Sequence, residues 1–289
     1  MQGFWSSWID INDGRLRLNG RRRALLLALC LASVAAVVAA QESKKPYEPV
    51  PGQSGKDAVW VPTPPELVEK MLDLAKVTKE DFVIDLGSGD GRNVIAAAKR
   101  GARAVGVEYN SKLIELSRQL AEKAGVADKA SFVRHDMFTY DISKATVLAL
   151  FLLPEHFRKL TPRFLALRPG TRIVVNTFQI PKWDADETER INGKCSQWCT
   201  ALLWIVPARV AGTWQLAEGE LRLRQTFQKL SGTLSSGKVR VPIKNGLMRG
   251  NAISFSVGDT QYTGLVEGNS MTGELKLRGS GTWKATKKR

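Results

Sequence analysis

The sequence predicts an α/β protein in which a doubly wound, mostly parallel sheet is followed by a small antiparallel β domain. Three observations carry this. Across 82–206 short apolar runs alternate with amphipathic helical stretches, as in repeated strand–helix–strand units. The first run, Phe82–Leu86, stops at Gly-Ser-Gly-Asp-Gly, where glycines let the backbone turn tightly into a helix. Beyond Ala211 the apolar period changes to two, in Leu221-Arg-Leu-Arg, Val239-Arg-Val-Pro-Ile and Ile253-Ser-Phe-Ser-Val, the pattern of half-buried antiparallel strands.

The chain has 289 residues, enough for one large and one small domain, and its 43% hydrophobic content is that of a globular protein. Its formal charge of +15 points to an anionic partner, whether phospholipid head groups, nucleic acid or an acidic protein, with a solvated basic surface as the plain alternative. Residues 1–40 read as an address: Arg21, Arg22 and Arg23 precede an apolar stretch over 24–40, and Val38-Ala39-Ala40 before Gln41 resembles a signal-peptidase site. The stretch is short for a bilayer span, so the expectation is either a cleaved leader or an anchor that places the rest outside the cytoplasm. A cytosolic face stays open, because the cofactor inferred below is a cytosolic metabolite. Residues 41–61, polar and rich in Pro and Gly, are expected to form a linker.

Thr63-Pro-Pro-Glu66 predicts a helix opened by Thr63 as N-cap with Glu66 closing a capping box. Lying just ahead of the first strand, this helix makes Trp60 and Thr63 candidates to line a site. The strand at 82–86, a helix over 93–100 and a strand over 104–107 form a βαβ unit ending at Glu108. That carboxylate lies about twenty residues past the first glycine, where it can accept two ribose hydroxyls. A dinucleotide turn would read Gly-x-Gly-x-x-Gly. Here Gly87, Gly89 and Gly91 are spaced Gly-x-Gly-x-Gly, with Ser88 between them, Asp85 before and Asp90 within. Two carboxylates repel a pyrophosphate but suit a ligand with sulfonium and ammonium groups. The motif is therefore read as that of a Rossmann-like, class I methyltransferase using S-adenosylmethionine.

The alternation continues with a helix over 111–124, a strand over 130–135, a strand over 147–152, a helix over 156–167 and strands over 171–178 and 201–206. Asp136 follows a strand's C-terminal end, where open α/β sheets bind ligands; it can accept from an adenine amino group while Met137 and Phe138 face the ring. His135 is read as structural. Cys195 and Cys199 are spaced for a disulfide in an oxidising compartment, the alternative being two thiols that point apart. With neither His nor further Cys nearby they make a poor zinc site, and no metal is expected. In the C-terminal region Asn245-Gly246, Gly258-Asp259 and Gly268-Asn269 mark turns of a β-meander closing as a small barrel or sandwich, with Trp214 and Trp283 at its ends.

Several of these segments together resemble a known family. Trp60-Val-Pro-Thr-Pro64, the glycine turn, Gly106-Val-Glu108, Phe151-Leu-Leu-Pro154, Pro169-Gly-Thr-Arg172, Phe178 and Trp183 are similar to the mitochondrial-type protein lysine methyltransferases. That family includes enzymes acting on the adenine nucleotide translocase and on the ATP synthase c-subunit. The resemblance covers about 47–206 and leaves out the leader and the C-terminal region. It implies S-adenosylmethionine as cofactor and a protein substrate, with a membrane protein as the expected target.

The domains expected are thus 1–40 leader or anchor, 41–61 linker, 62–208 methyltransferase and 211–289 antiparallel β. Methyl transfer to lysine needs a neutral amine held against the sulfonium carbon more than it needs a general base. Leu153, Pro154, Phe178 and Trp183 are the candidates for the desolvated substrate channel. Two other readings remain open. Nucleic-acid or small-molecule methylation fits the charge, but the Asn/Asp-Pro-Pro-aromatic motif used on base amino groups is missing at 151–154, so a nucleic-acid partner is not expected. An exported binding protein with a non-catalytic fold fits the leader, but not the intact Asp85, Glu108 and Asp136.

Overall fold

A computed structural model describes residues 47–191, 195, 197–276 and 281–288. The readings for residues 1–40 lie outside them. The chain divides into two units, Met1–Glu48 and Pro49–Arg289, and everything below concerns the second.

Helix α1 (Pro65–Leu74) precedes strand β1 (Phe82–Leu86), α2 (Arg92–Lys99), β2 (Arg103–Glu108), α3 (Ser111–Lys123), β3 (Ala130–Arg134), β4 (Val147–Leu150), α4 (Pro154–Phe164) and β5 (Arg172–Asn176). The hairpin of β6 (Glu187–Arg190) and β7 (Thr200–Ile205) completes a seven-stranded sheet of order β3-β2-β1-β4-β5-β7-β6. Strands β1 to β5 pair in parallel, and β7 runs antiparallel to both β5 and β6. Continuous apolar runs form the inner strands because both faces are covered: Val147–Leu150 is buried throughout. The strand order reverses between β1 and β4. In an open α/β sheet that point leaves a crevice at the strands' C-terminal ends.

The helix starts differ from expectation. Pro64, not Thr63, is the N-cap of α1 and makes no side-chain cap, with Pro65 in the first turn. The two prolines fix φ and lack amide donors that would need capping. Helix α4 begins at Pro154, two residues before the expected start, for the same reason.

The C-terminal region forms a closed eight-stranded antiparallel barrel from β8 (Gly212–Leu216), β9 (Gly219–Thr226), β10 (Lys229–Ser236), β11 (Val239–Arg249), β12 (Ala252–Val257), β13 (Thr260–Glu267), β14 (Ser270–Lys276) and β15 (Gly281–Lys287). Each strand pairs with the next, and β15 closes onto β8. Alternation puts Leu221 and Leu223 inside and Arg222 and Arg224 outside. Trp214 and Trp283 come from the two strands at the closure and both lie in the core, where Trp283 meets Phe255 and Tyr262 edge-on. Closure removes free strand edges. The barrel is fixed to the sheet: Ala208 donates to the Gly250 carbonyl (2.8 Å), Gln228 Nε2 to the Asp184 carbonyl (2.7 Å), and Trp183 stacks on Phe227 at 5.3 Å. Among the described residues no helix is long and apolar enough to cross a membrane.

Candidate active site

A pocket open to solvent lies over the crevice between β1 and β4. Its floor is Asp85, Gly87 to Asp90, Arg92 and Asn93, whereas Gly91, expected at the cofactor, lies against Phe132 and Ser117; its sides are Glu108 to Asn110, His135 to Met137 and Phe151-Leu152; its roof is Gln53 to Thr63. The roof comes from the stretch expected as a linker. A bridge between Ser54 and Val59 shapes it, His156 Nε2 lies 3.1 Å from the Asp57 carbonyl, and the indole of Trp60 rests on Gly89. A Cβ at Gly89 would stand 2.5 Å from Trp60 Nε1, and its φ of 56° is left-handed, so that position demands glycine.

The acids of the turn have different surroundings. Asp85 is 2% exposed, and among the described residues its side-chain partner is Asn93 Nδ2 at 3.1 Å. Burial, with Glu108 and Asp90 adding repulsion, pushes its carboxyl up to about 8. Asp90, read from sequence as a second free carboxylate, is instead held by Arg92, with Nε to Oδ1 at 2.9 Å and Nη2 to Oδ2 at 2.5 Å. Arg92 also reaches the Thr63 carbonyl at 2.5 Å, tying floor to roof. The Glu108 carboxylate accepts from the amides of Gly89 (3.0 Å), Tyr109 (2.8 Å) and Asn110 (2.9 Å), which fix it at the end of β2 facing the pocket.

Asp136 lines the opposite wall. It accepts from the Phe138 amide at 2.8 Å and pairs with Lys56 of the roof, whose hydrogen bond holds its carboxyl below the usual range. Met137 lines the pocket beside it, whereas Phe138 turns away to meet His156 edge-on at 5.9 Å. His135, read as structural, is exposed on the pocket rim. Thr63 is buried at the wall, its hydroxyl accepting from Asn176 Nδ2 at 3.2 Å.

The substrate-channel candidates separate. Trp183 is 1% exposed in the core under the barrel and does not approach the pocket, because the indole stacks on Phe227. Leu153 and Pro154 form the start of α4 rather than the wall, and Phe178 reaches the pocket only through Phe151. Sequence reasoning missed Lys56, Asn93 and Asn110 in the lining. Asn93 carried a readable signal: on the first turn of α2 it faces the buried Asp85, where a donor is needed. Cys195 and Cys199 are bridged, their Cα atoms 5.9 Å apart. Among the described residues no cluster of His, Cys, Asp and Glu could hold a metal.

The residues fit an S-adenosylmethionine ligand on their own chemistry. Asp85 is a buried carboxyl whose anion a bound cation would favour, Ser88 Oγ is buried with no hydrogen-bond partner among the described residues, and Glu108 is anchored with lone pairs to spare. Fold and site thus define a methyltransferase of the class that uses this cofactor. Residues 85–187 match the family model described as the ANTKMT methyltransferase domain. The chain is 44% identical over 135 residues to a protein-lysine N-methyltransferase of Saccharolobus islandicus, covering 46% of this chain and 84% of that one. It is 35% identical over 130 residues to the ATP synthase c-subunit lysine N-methyltransferase of Mus musculus, covering 45% of this chain and 52% of that protein. It thus spans about half the length of the mouse relative. A solved structure, an RNA methyltransferase from Salinibacter ruber in complex with S-adenosyl-L-homocysteine, is 43% identical, with 52% of this chain and 96% of that chain covered and a TM-score of 0.49. The chain belongs to the family of S-adenosylmethionine-dependent methyltransferases that the Saccharolobus enzyme represents.

Proposed function

We propose that this enzyme is a protein-lysine N-methyltransferase whose substrate is a membrane-associated protein. The observation that carries the first part is the extended likeness to the Saccharolobus protein-lysine enzyme, which spans 46% of this chain. S-adenosylmethionine supplies a methyl group made electrophilic by its sulfonium. This chain's residues bind and orient: Glu108 takes the ribose hydroxyls, Asp85 the ammonium, and Met137 with Leu152 gives the adenine an apolar wall. The roof covers the glycine turn with Trp60, and desolvation of an amine beneath it would favour the neutral form that must attack. Holding that amine in line can supply ~7–11 kcal/mol. The membrane-associated target is supported by the charge of +15 and by relatives named for the ATP synthase c-subunit and the adenine nucleotide translocase. Export or anchoring at a membrane is supported by the leader pattern and by the Cys195–Cys199 bridge.

The test incubates the full chain with methyl-labelled S-adenosylmethionine and separate membrane, soluble-protein and RNA fractions of the native cell. Label on lysine in membrane protein, located by peptide mass spectrometry, is the expected result. Label confined to nuclease-sensitive material would overturn the protein substrate, and lysine label confined to soluble protein would overturn the membrane target.

A further inference from the structure

Three half-buried rings meet beside the pocket. Phe151 follows β4 and lines the pocket; Phe178 follows β5; Trp198 lies just before β7. Their centroids stand 6.0 Å apart for Phe151 and Phe178, 5.4 Å for Phe151 and Trp198, and 5.3 Å for Phe178 and Trp198. Two of these rings are placed by left-handed backbone: Trp198 has φ 58°, and Thr177, directly before Phe178, has φ 61°. Such conformations disfavour bulky or β-branched residues and persist where the surroundings over-determine them. For Trp198 the determinant is at hand, since the Cys195–Cys199 bridge encloses it.

The same corner holds two buried oxygens without hydrogen-bond partners among the described residues, Asn176 Oδ1 and Thr177 Oγ1, at the end of β5. Asn176 is completely buried, and its Nδ2 is already engaged by Thr63 of the pocket wall. Unpaired buried polar atoms are rare, and these two, sealed from solvent here, can meet an incoming N–H once the corner opens around it. Aromatic faces beside unpaired polar atoms form a receptor for an alkylamine: the rings attract its cationic form as it arrives and cover its methylene stem, the oxygens take its N–H groups, and the ammonium gives up one proton to solvent before the neutral amine attacks.

We propose that Phe151, Phe178 and Trp198, with Asn176 and Thr177, receive the amine-bearing side chain of the substrate, and that the Cys195–Cys199 bridge holds Trp198 in place to do so. This rests on the lysine-methylation reading. Trp198 is then a residue that binds substrate, and the two cysteines are positioning residues.

The experiment uses the full chain and measures transfer from labelled S-adenosylmethionine to poly-L-lysine and to native membrane protein, with cofactor affinity measured in parallel. Trp198→Ala should raise the apparent KM for the lysine acceptor roughly tenfold, the effect of losing a desolvated cation–π contact, with cofactor affinity unchanged. Trp198→Phe should recover most of the loss, and the double variant Cys195→Ser, Cys199→Ser should raise KM in the same direction. An unchanged acceptor KM in Trp198→Ala, or a parallel fall in cofactor affinity marking a purely structural role, would overturn the proposal while lysine methylation by the wild type stands. If the wild type methylates no lysine in either acceptor, the functional reading fails first and this inference with it.

Discussion

At the residue scale, Asp85 and Glu108 divide the cofactor between a buried acid and an anchored one. Glu108→Ala removes a charged acceptor at the end of β2, and S-adenosylmethionine binding should weaken by about 1.5–3 kcal/mol, read by titration calorimetry. Unchanged affinity would remove Glu108 from the ribose site. Asp85 makes a pH-dependent prediction. Its folded carboxyl titrates near 8, above its unfolded value, so the folded state carries the extra proton. Stability from this group is therefore fully present at pH values below the ordinary carboxylate range and lost as pH rises towards 8. Asp85→Asn should flatten that part of the pH–stability curve of the free enzyme. The ligand's ammonium, still charged at about pH 6.5, should return Asp85 to its anion and release close to one proton. Calorimetry in buffers of different ionisation enthalpy reads that proton, and its absence in the wild type would show that the ammonium lies elsewhere.

At the element scale, the loops after β1, β2, β3 and β4 build the pocket because the sheet gathers their C-terminal ends at the strand-order reversal. The segment before α1 closes it with Trp60, Lys56 and Asp57. Trp183 shows the opposite case, a residue flanked by site-like sequence yet committed to packing. Its truncation to Ala leaves a cavity under the barrel and should cost about 3–5 kcal/mol of stability by denaturant unfolding. Cofactor affinity of the protein that remains folded should not change; a selective loss of turnover without loss of stability would return Trp183 to the substrate channel.

At the scale of the whole molecule, a barrel whose described residues stay out of the pocket is joined to the methyltransferase sheet. It is packed inside by Trp214, Met248, Phe255 and Met271 and presents Arg222, Arg224, Arg240 and Lys244 outside. With the net charge of +15, adhesion of the full chain to anionic vesicles should fall steeply as salt rises through the range where the Debye length shrinks below ~10 Å. Co-sedimentation that ignores salt would mean that charge does not carry the contact. The leader makes a second prediction at this scale: terminal sequencing of the native protein should find Gln41 first, with Cys195 and Cys199 resistant to alkylation until reduced. An intact leader in the membrane fraction would favour the anchor, and two free thiols in native protein would defeat the oxidising compartment.

The sequence by itself determined the α/β sheet, the β domain and the cofactor's acidic and glycine-rich cradle, because these depend on local chemistry: apolar period, turn residues and carboxylates at fixed spacing from a strand end. Asp85, Gly87 to Asp90, Glu108, Asp136 and Met137 all line the pocket on that basis. Tertiary structure decided that Asp136 does not stay free, since its pair with Lys56 forms only when strand end and roof meet, whereas the Asp90–Arg92 pair is made within the turn itself. It also moved Trp183 into the core and brought Trp198 to Phe151 and Phe178, residues distant along the chain that become neighbours through strand pairing. Barrel closure was settled in the same way: alternation shows that a strand has an inside face, but whether the first and last strands of a meander meet depends on accumulated twist and on the long-range pairing of β15 with β8.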